Sequence, residues 1–365
     1  MLSKVFRYMR DAVIIFMLTF ALLEGSFRLY HYFSPVFIFP DNSDNRFRGK
    51  PFDLYFGFML NSRGFHDTEF QQDKPPGSIR IVGIGDSFVF GSVPYQYNFL
   101  TLLEDKMNTP DDRRVEILNM GISATSPREY FSVLVKEALK LKPDAALICI
   151  FVGNDFIEIS PKPVLHHSWV VSAAKYVIDL LRYVEPTQEH GGRSQYVDDA
   201  PSFSEAYFLE TEAMRTEVYD QASPMLSERL PRVMTWIDEI KTVCENNGIQ
   251  LFVMLIPDEL QVNSGLQQRV LEKIGADNDK LDFDRPNKHL VKELRARNIK
   301  YLGPWQAPCY LRLRPKNLLE PFRLRTRDVR LYKPRDTHWN IAGNRLAADL
   351  LYDFLYEAIL ERRGT

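Results

Sequence analysis

Four short polar motifs in this chain hold the residue types that acyl transfer requires. Gly85-Asp86-Ser87 follows the apolar run Ile79–Ile84, and Asn119-Met120-Gly121 follows Val115–Leu118. Gly153-Asn154-Asp155 follows Ala145–Val152, and Asp336-Thr337-His338-Trp339-Asn340 precedes the last helical pattern. A serine hydroxyl is a poor nucleophile until a base takes its proton, and histidine suits that task near neutral pH. A carboxylate must then hold the imidazole in the right tautomer and stabilise its charged form. Asp336 and His338 are two apart, so in an extended segment their side chains point the same way. The oxyanion that develops needs fixed donors, each worth about 3 kcal/mol of barrier. The N–H groups of Ser87 and Gly121 and the amide of Asn154 are the candidates, and glycine at 121 lets backbone approach a substrate closely. Singly, each motif reads as ordinary structure: Gly-Asp-Ser and Gly-Asn-Asp suit turns, and an Asp-x-His pair is commonly a surface feature. Their order and placement together point to chemistry. Asp86, Asn119 and Asp155 are expected to shape the loops.

The elements that must carry these motifs alternate. Ile79–Ile84, Val115–Leu118, Ala145–Val152, Ile249–Ile256 and Ile299–Leu302 read as buried parallel strands. Between them, Leu230, Val233, Met234, Ile237, Ile240 and Cys244 recur at helical spacing before the stop signal Gly248. Leu346, Leu350, Phe354 and Leu355 give a closing helix. Such alternation predicts a parallel sheet covered on both faces, with ligands beyond the carboxyl ends of its strands. Three of the motifs lie at that edge.

Three stretches break the pattern. Phe33–Pro76 reads as a connector that packs on the main domain. Pro161–Ser227 is an insertion, far longer than usual connections, with one amphipathic candidate helix at Trp169–Val184. Its His166-His167 pair suggests a metal, but adjacent histidines diverge, and a polar surface position is expected. Arg312–Arg335 holds nine Lys or Arg against Glu320 and Asp328. It reads as a solvated irregular face or, more sharply, as a cleft wall for an acidic polysaccharide or lipid headgroups.

Lys4, Arg7 and Arg10 precede an apolar run from Ala12 to Leu23, which Glu24 interrupts. Twelve residues are short for a span, which needs about 20. A cleaved signal would match that length, but no small-x-small site follows. The expectation is an uncleaved anchor whose basic flank stays in the cytoplasm, with the rest on the periplasmic or extracellular side. The formal net charge of −2 over 365 residues gives no reason to expect nucleic-acid binding. Cys149, Cys244 and Cys309 show neither metal-like spacing nor an even count, so no disulfide framework is predicted.

Taken together, Gly-Asp-Ser-Phe at Ser87, Asn-Met-Gly at Gly121, Gly-Asn-Asp at Asn154 and Asp-Thr-His-Trp at His338 resemble the SGNH, or GDSL-type, hydrolase superfamily. The resemblance runs from about Asn61 to the C-terminus. It implies a flavodoxin-like three-layer α/β/α sandwich, a catalytic triad of Ser87, His338 and Asp336, an oxyanion hole of Ser87, Gly121 and Asn154, and neither metal nor cofactor. In the commoner pattern the acid lies three residues before the histidine, whereas Asp336 lies two before His338. The Asp-Thr-His-Trp form and the N-terminal apolar segment look like the alginate O-acetyltransferase branch. The expected organisation is a stub and anchor over 1–33, a connector over 34–77, and a catalytic domain over 78–365 with its insertion at 161–227. The expected function is ester hydrolysis on an acylated or acetylated glycan of the envelope. Alternatives are an O-acetyltransferase served by an acyl-donor membrane protein, an acyl-lipid esterase, and a non-catalytic glycan-binding protein. Two other readings fail on single residues. Phe88 stands where a dinucleotide fingerprint needs its third glycine, and Val89 where an α/β-hydrolase elbow needs glycine.

Overall fold

Side chains that are apolar on both faces of a strand demand cover on both sides, and the central strands meet that description. Ile79–Ile84 (β1) is buried at every position. Val115–Asn119 (β2) alternates between buried and half-buried, as an outer strand does. Ala145–Phe151 (β3) is buried throughout, Gln250–Ile256 (β4) along most of its length, and Lys300–Leu302 (β5) is short. All four pairings are parallel, in the order β2-β1-β3-β4-β5. This flavodoxin-like order has its switch point between β1 and β3, where a crevice opens beyond the strand ends.

The computed structural model describes residues 2–33, 48–108, 115–158, 168–171, 173–174, 195–277, 279–303 and 319–360. The chain divides into two compact units, Met1–Phe47 with Pro161–Thr187, and Arg48–Ser160 with Gln188–Thr365. Within the larger unit, successive strand residues feed two separate cores. Val82, Ile84, Ile148, Ile150, Val253 and Leu255 pack with helices Pro127–Lys136, Met225–Asn246 and Arg285–Ala296. Ile81, Leu147, Cys149, Phe252 and Met254 pack with helices Phe99–Asn108 and Ile341–Leu355. The result is a three-layer α/β/α sandwich. Cys149 and Cys244 are buried free thiols, while Cys309 lies outside the described residues.

The outer edge of β2 is closed by side chains. Asn108 Oδ1 accepts from the Val115 N–H (2.8 Å), Glu104 Oε2 from Ile117 (2.6 Å), and Asp67 Oδ2 from Asn119 (2.7 Å). Three alternate donors that would otherwise recruit another strand are thereby satisfied. A cavity of about 750 Å³ lies against this edge, lined by Asp67, Arg80, Glu104 and Glu116 among others. Asp67 comes from the segment read as a connector, which from Arg48 onward belongs to the larger unit.

In the smaller unit the N-terminal helix is far longer than the apolar run: Leu2–Phe33, 32 residues. Glu24 does not end it. Its carboxylate pairs with Arg28 one turn on (2.7 Å) and also accepts from Ser168 Oγ (3.0 Å) and the Val170 N–H (3.1 Å). Lys4–Leu29 has a mean hydropathy of 1.8 in its most apolar window and is long and apolar enough to cross a membrane. Most of the candidate helix Trp169–Val184, and the His166-His167 pair, lie outside the described residues.

Candidate active site

Ser87 opens a one-turn helix, Ser87–Phe90, directly beyond β1. The turn is held from three sides. Asp86 caps it, its Oδ1 accepting from the Phe88 N–H at 2.9 Å. Asn119, at the end of β2, donates its side-chain amide to Val89 O at 2.7 Å, and Asn98 donates to the same oxygen at 3.0 Å. Gly121 abuts the turn so closely that a side-chain carbon there would stand 2.1 Å from the Phe90 nitrogen. The glycine is therefore required by packing against the serine turn, a cause different from the close substrate approach expected of it. Its N–H already donates to Asn119 Oδ1 at 3.0 Å.

Asn154 follows β3 and is half-buried. Its backbone N–H donates to Phe151 O at 3.2 Å. Asp155 beside it accepts from the Phe151 N–H (3.0 Å) and from Tyr130 Oη (2.7 Å), fixing the loop. Among the described residues, no acceptor engages the Ser87 N–H or the Asn154 side-chain amide.

Asp336 and His338 sit near the tip of a tight antiparallel turn rather than on an extended strand. Tyr332 bridges Trp339, and Lys333 N–H donates to His338 O at 3.0 Å. Asp336 Oδ1 accepts from the backbone N–H of His338 at 3.1 Å, an Asx-type bond that curls the chain back. This curl, not strand alternation, turns the two side chains together. The same Oδ1 lies 2.7 Å from His338 Nδ1, and His338 Nε2 lies 2.7 Å from Ser87 Oγ. An ionised carboxylate only accepts, so Nδ1 carries the proton and Nε2 faces the serine as a base. Burial alone would raise the Asp336 carboxyl. The His338 charge, and hydrogen bonds from His338 and Ser202, outweigh burial and hold the group at about 2. The carboxyl of Asp86 moves the other way, pushed up to about 6 by burial against the Phe88 N–H and the charges of His338 and Arg215.

A hydrogen bond contributes only about 0.5–1.5 kcal/mol net, too little for the Ser87–His338 contact to align both loops alone. Aromatic packing does more. The Phe88 ring sits 5.1 Å from the His338 ring and 5.1 Å from Trp339, nearly edge-on to the latter. Trp339 in turn packs on Phe99 (5.8 Å) and Phe322 (5.1 Å). Fully burying a Phe side chain such as Phe99 or Phe322 is worth about 1.5–3 kcal/mol, so this cluster outweighs the hydrogen bond in locking the histidine loop onto the serine turn.

The structure thus joins Ser87, His338 and Asp336 directly, and brings Gly121 against the serine turn. Sequence reading missed a buried group behind the third motif. Arg215 pairs with Glu212 at 2.7 Å and lies over the Phe151 ring, while Asp258 accepts from Tyr219 Oη at 2.9 Å. A side-chain carbon on Gly153 would meet Asp258 Oδ2 at 2.7 Å, so this group underlies the Asn154 loop. Glu212 and Arg215 stand one turn apart on the helix Glu205–Arg215, a spacing that reads as an ordinary surface pair. Tyr219 and Asp258 come from other segments, so the sequence gives no sign that the four meet. Part of the basic stretch Arg312–Arg335 lies outside the described residues. Of the rest, Arg323 pairs with Asp284 (2.5 Å) and Lys333 donates to Ala200 O, both within the fold.

No family model matches the sequence, and no curated protein matches it. Solved structures do align. One, of the lipolytic G-D-S-L family from Desulfitobacterium hafniense, covers 75% of this chain and 98% of its own at 16% identity and a TM-score of 0.36. An acetyl xylan esterase covers 75% and 98% at 13% identity and a TM-score of 0.39. A lipase/acylhydrolase from Enterococcus faecalis covers 77% and 96% at 14% identity and a TM-score of 0.39. These overlays are loose, and the sheet order described above stands on this chain's own strand register.

Proposed function

We propose that this chain is an SGNH-type serine esterase acting on acyl or acetyl esters, with Ser87 as nucleophile, His338 as base and Asp336 as orienting acid. The observation that carries it is the Asp336–His338–Ser87 relay, with both contacts at 2.7 Å and the serine at the carboxyl end of β1, beside the switch point. Ser87 Oγ attacks the ester carbonyl while Nε2 takes its proton. The same nitrogen returns that proton to the leaving alkoxide, leaving an acyl-serine. Water then gives a proton to Nε2 as its oxygen attacks the acyl carbon. Nε2 passes that proton to Ser87 Oγ as the acyl–Oγ bond breaks, releasing the acid and restoring both residues. The Ser87 N–H and the Asn154 amide receive the oxyanion, and the Gly121 N–H joins them by sharing its bond with Asn119.

An exported glycan ester is the substrate class this reading favours. The basic flank Lys4, Arg7 and Arg10 before a spanning-length helix supports a single-pass anchor with the catalytic unit on the periplasmic or extracellular side. A second reading, transfer of the acyl group to a sugar hydroxyl, is favoured by the two-residue spacing of Asp336 and His338 taken together with an anchor helix in the same chain.

The deciding experiment is p-nitrophenyl acetate turnover by the detergent-solubilised chain and its Ser87→Ala variant, with fluorophosphonate labelling of both. Turnover and labelling that vanish in the variant support the nucleophile. An unlabelled, inactive parent chain sinks it. Added oligosaccharide that raises ester consumption while acid release falls identifies the transferase.

A further inference from the structure

The segment from Asn61 to Thr68 comes from the stretch read as a connector, and its own hydrogen bonds fold it into a closed loop. Asn61 Oδ1 accepts from the N–H groups of Arg63 and Phe65, both at 3.0 Å, and Asn61 Nδ2 donates to Thr68 O at 3.1 Å. Two buried neighbours on this loop, His66 and Asp67, reach different parts of the catalytic framework. His66 Nδ1 lies 2.9 Å from Phe90 O, the last carbonyl of the serine turn. A carbonyl only accepts, so Nδ1 carries the proton. Asp67 Oδ2 accepts from the Asn119 N–H at 2.7 Å. Asn119 then spans both parts: its amide donates to Val89 O at 2.7 Å, and its Oδ1 accepts from the Gly121 N–H at 3.0 Å.

We propose that His66 is a positioning residue for the serine turn, tied through Asp67 to the strand end that carries Gly121. The rings of Tyr55, Phe58, Phe90 and Tyr95 surround the imidazole at 5.0–6.1 Å, and its Nε2 is buried with no hydrogen-bond partner among the described residues. A phenylalanine would fill such a cage without the cost of burying a ring nitrogen. What the histidine adds is the donor to Phe90 O. The oxyanion donors Ser87 N–H and Gly121 N–H stand at the ends of different strands, and both must aim at one oxygen atom. His66 holds the carbonyl that closes one carrier, and Asp67 holds the amide that ends the other. Adjacent residues keep their Cα atoms about 3.8 Å apart, so covalent geometry sets the separation of the two grips. The connector is therefore part of the active site's framework. This inference rests on the triad reading, and its test separates the two.

The experiment compares the full chain in detergent with His66→Phe, His66→Asn and Ser87→Ala. It records kcat and KM on p-nitrophenyl acetate, the rate of labelling by a fluorophosphonate, and the melting temperature. His66→Phe keeps a ring in the cage and removes the donor. It is expected to lower kcat about tenfold and to slow labelling in step, with KM unchanged, the scale of a small misalignment of reacting groups. His66→Asn places an amide N–H where Nδ1–H stands but leaves the cage part-empty, so Tm should fall while kcat stays near the parent's. A His66→Phe chain with kcat and labelling within about twofold of the parent overturns the proposal. So does a His66→Asn chain that folds yet loses as much kcat as His66→Phe, because the residue then acts through packing. If His66→Asn fails to fold, His66→Phe decides: a lower kcat at unchanged Tm supports the role, and a loss that only follows Tm rejects it. Turnover that survives Ser87→Ala sinks the triad reading and this role with it. Activity that needs Ser87 but ignores His66→Phe sinks the role alone.

Discussion

Gly121 and Phe90 touch backbone to backbone, with no room between them for even one methyl group. The end of β2 is therefore pressed directly onto the turn that presents Ser87. Gly121→Ala must push that turn aside, an overpacking cost of about 1–3 kcal/mol. Thermal melts are expected to show a Tm lower by several degrees, with esterase turnover lost even where the protein stays folded. A variant with unchanged kcat would mean that the serine turn tolerates displacement.

Asp336 is held near 2, so it stays ionised throughout the range in which the enzyme would work. The rate–pH profile is expected to show no inflection from this carboxyl between about pH 4 and 8. Asp336→Asn keeps the shape but cannot enforce the tautomer, and kcat should fall by about 10³–10⁴ with little change in Tm. The sign for stability is the ordinary one for a depressed acid. Its contribution is present above the unfolded value and is lost as pH falls from about 4 toward 2.

His66 is buried among Tyr55, Phe58, Phe90 and Tyr95, with Nδ1–H donating to Phe90 O at 2.9 Å. Burial, against that hydrogen bond, lowers it from 6.5 to about 4. Between those values the unfolded chain binds the proton and the folded chain does not, so stability falls as pH drops through the window. Neighbouring Asp67, raised by burial to about 7, has the opposite sign: its share of stability falls as pH rises from about 4 to 7. Denaturation curves of the parent and of His66→Phe separate the two. The parent should lose more stability than the variant between pH 6.5 and 4.5, and equal losses would exclude His66 as the acid-sensitive group.

Glu104 covers the Ile117 N–H on the open side of β2. Glu104→Ala leaves that donor without its partner at the sheet edge, at a cost of about 1–3 kcal/mol. Light scattering is expected to show concentration-dependent self-association in the variant and none in the parent, since an uncovered edge can recruit another strand. A variant that melts earlier yet stays monomeric would show that Asn108 and Asp67 suffice to guard the edge.

The five strands were legible because buried strands carry uninterrupted apolar runs: Ile79–Ile84 falls where expected, and each of the other four differs by one residue at one end. Ser87, His338 and Asp336 were legible because chemistry-bearing residues stood at strand ends and before a helix. The route by which Asp336 meets His338 was not, since an Asx-type curl and an alternating strand both suit Asp-x-His. His66 and Asp67 were hidden for another reason: they sit among aromatic and turn residues that show no period. The apolar run Ala12–Leu23 understates the helix Leu2–Phe33, which lies within the expected stub and anchor segment. The reason is that the partners of Glu24 lie one turn ahead and, at Ser168 and Val170, in a distant part of the chain.

His338 meets Ser87 across 251 residues of chain, and Asn344 accepts from the Phe99 N–H across 245. Contacts of such range close late, after local helices and neighbouring strands have formed. On refolding, ultraviolet dichroism should therefore recover before ester turnover does. A chain halted midway can hold a finished β1, with Ser87 in place, and still be chemically silent. Activity in this fold reports that the last turns have docked.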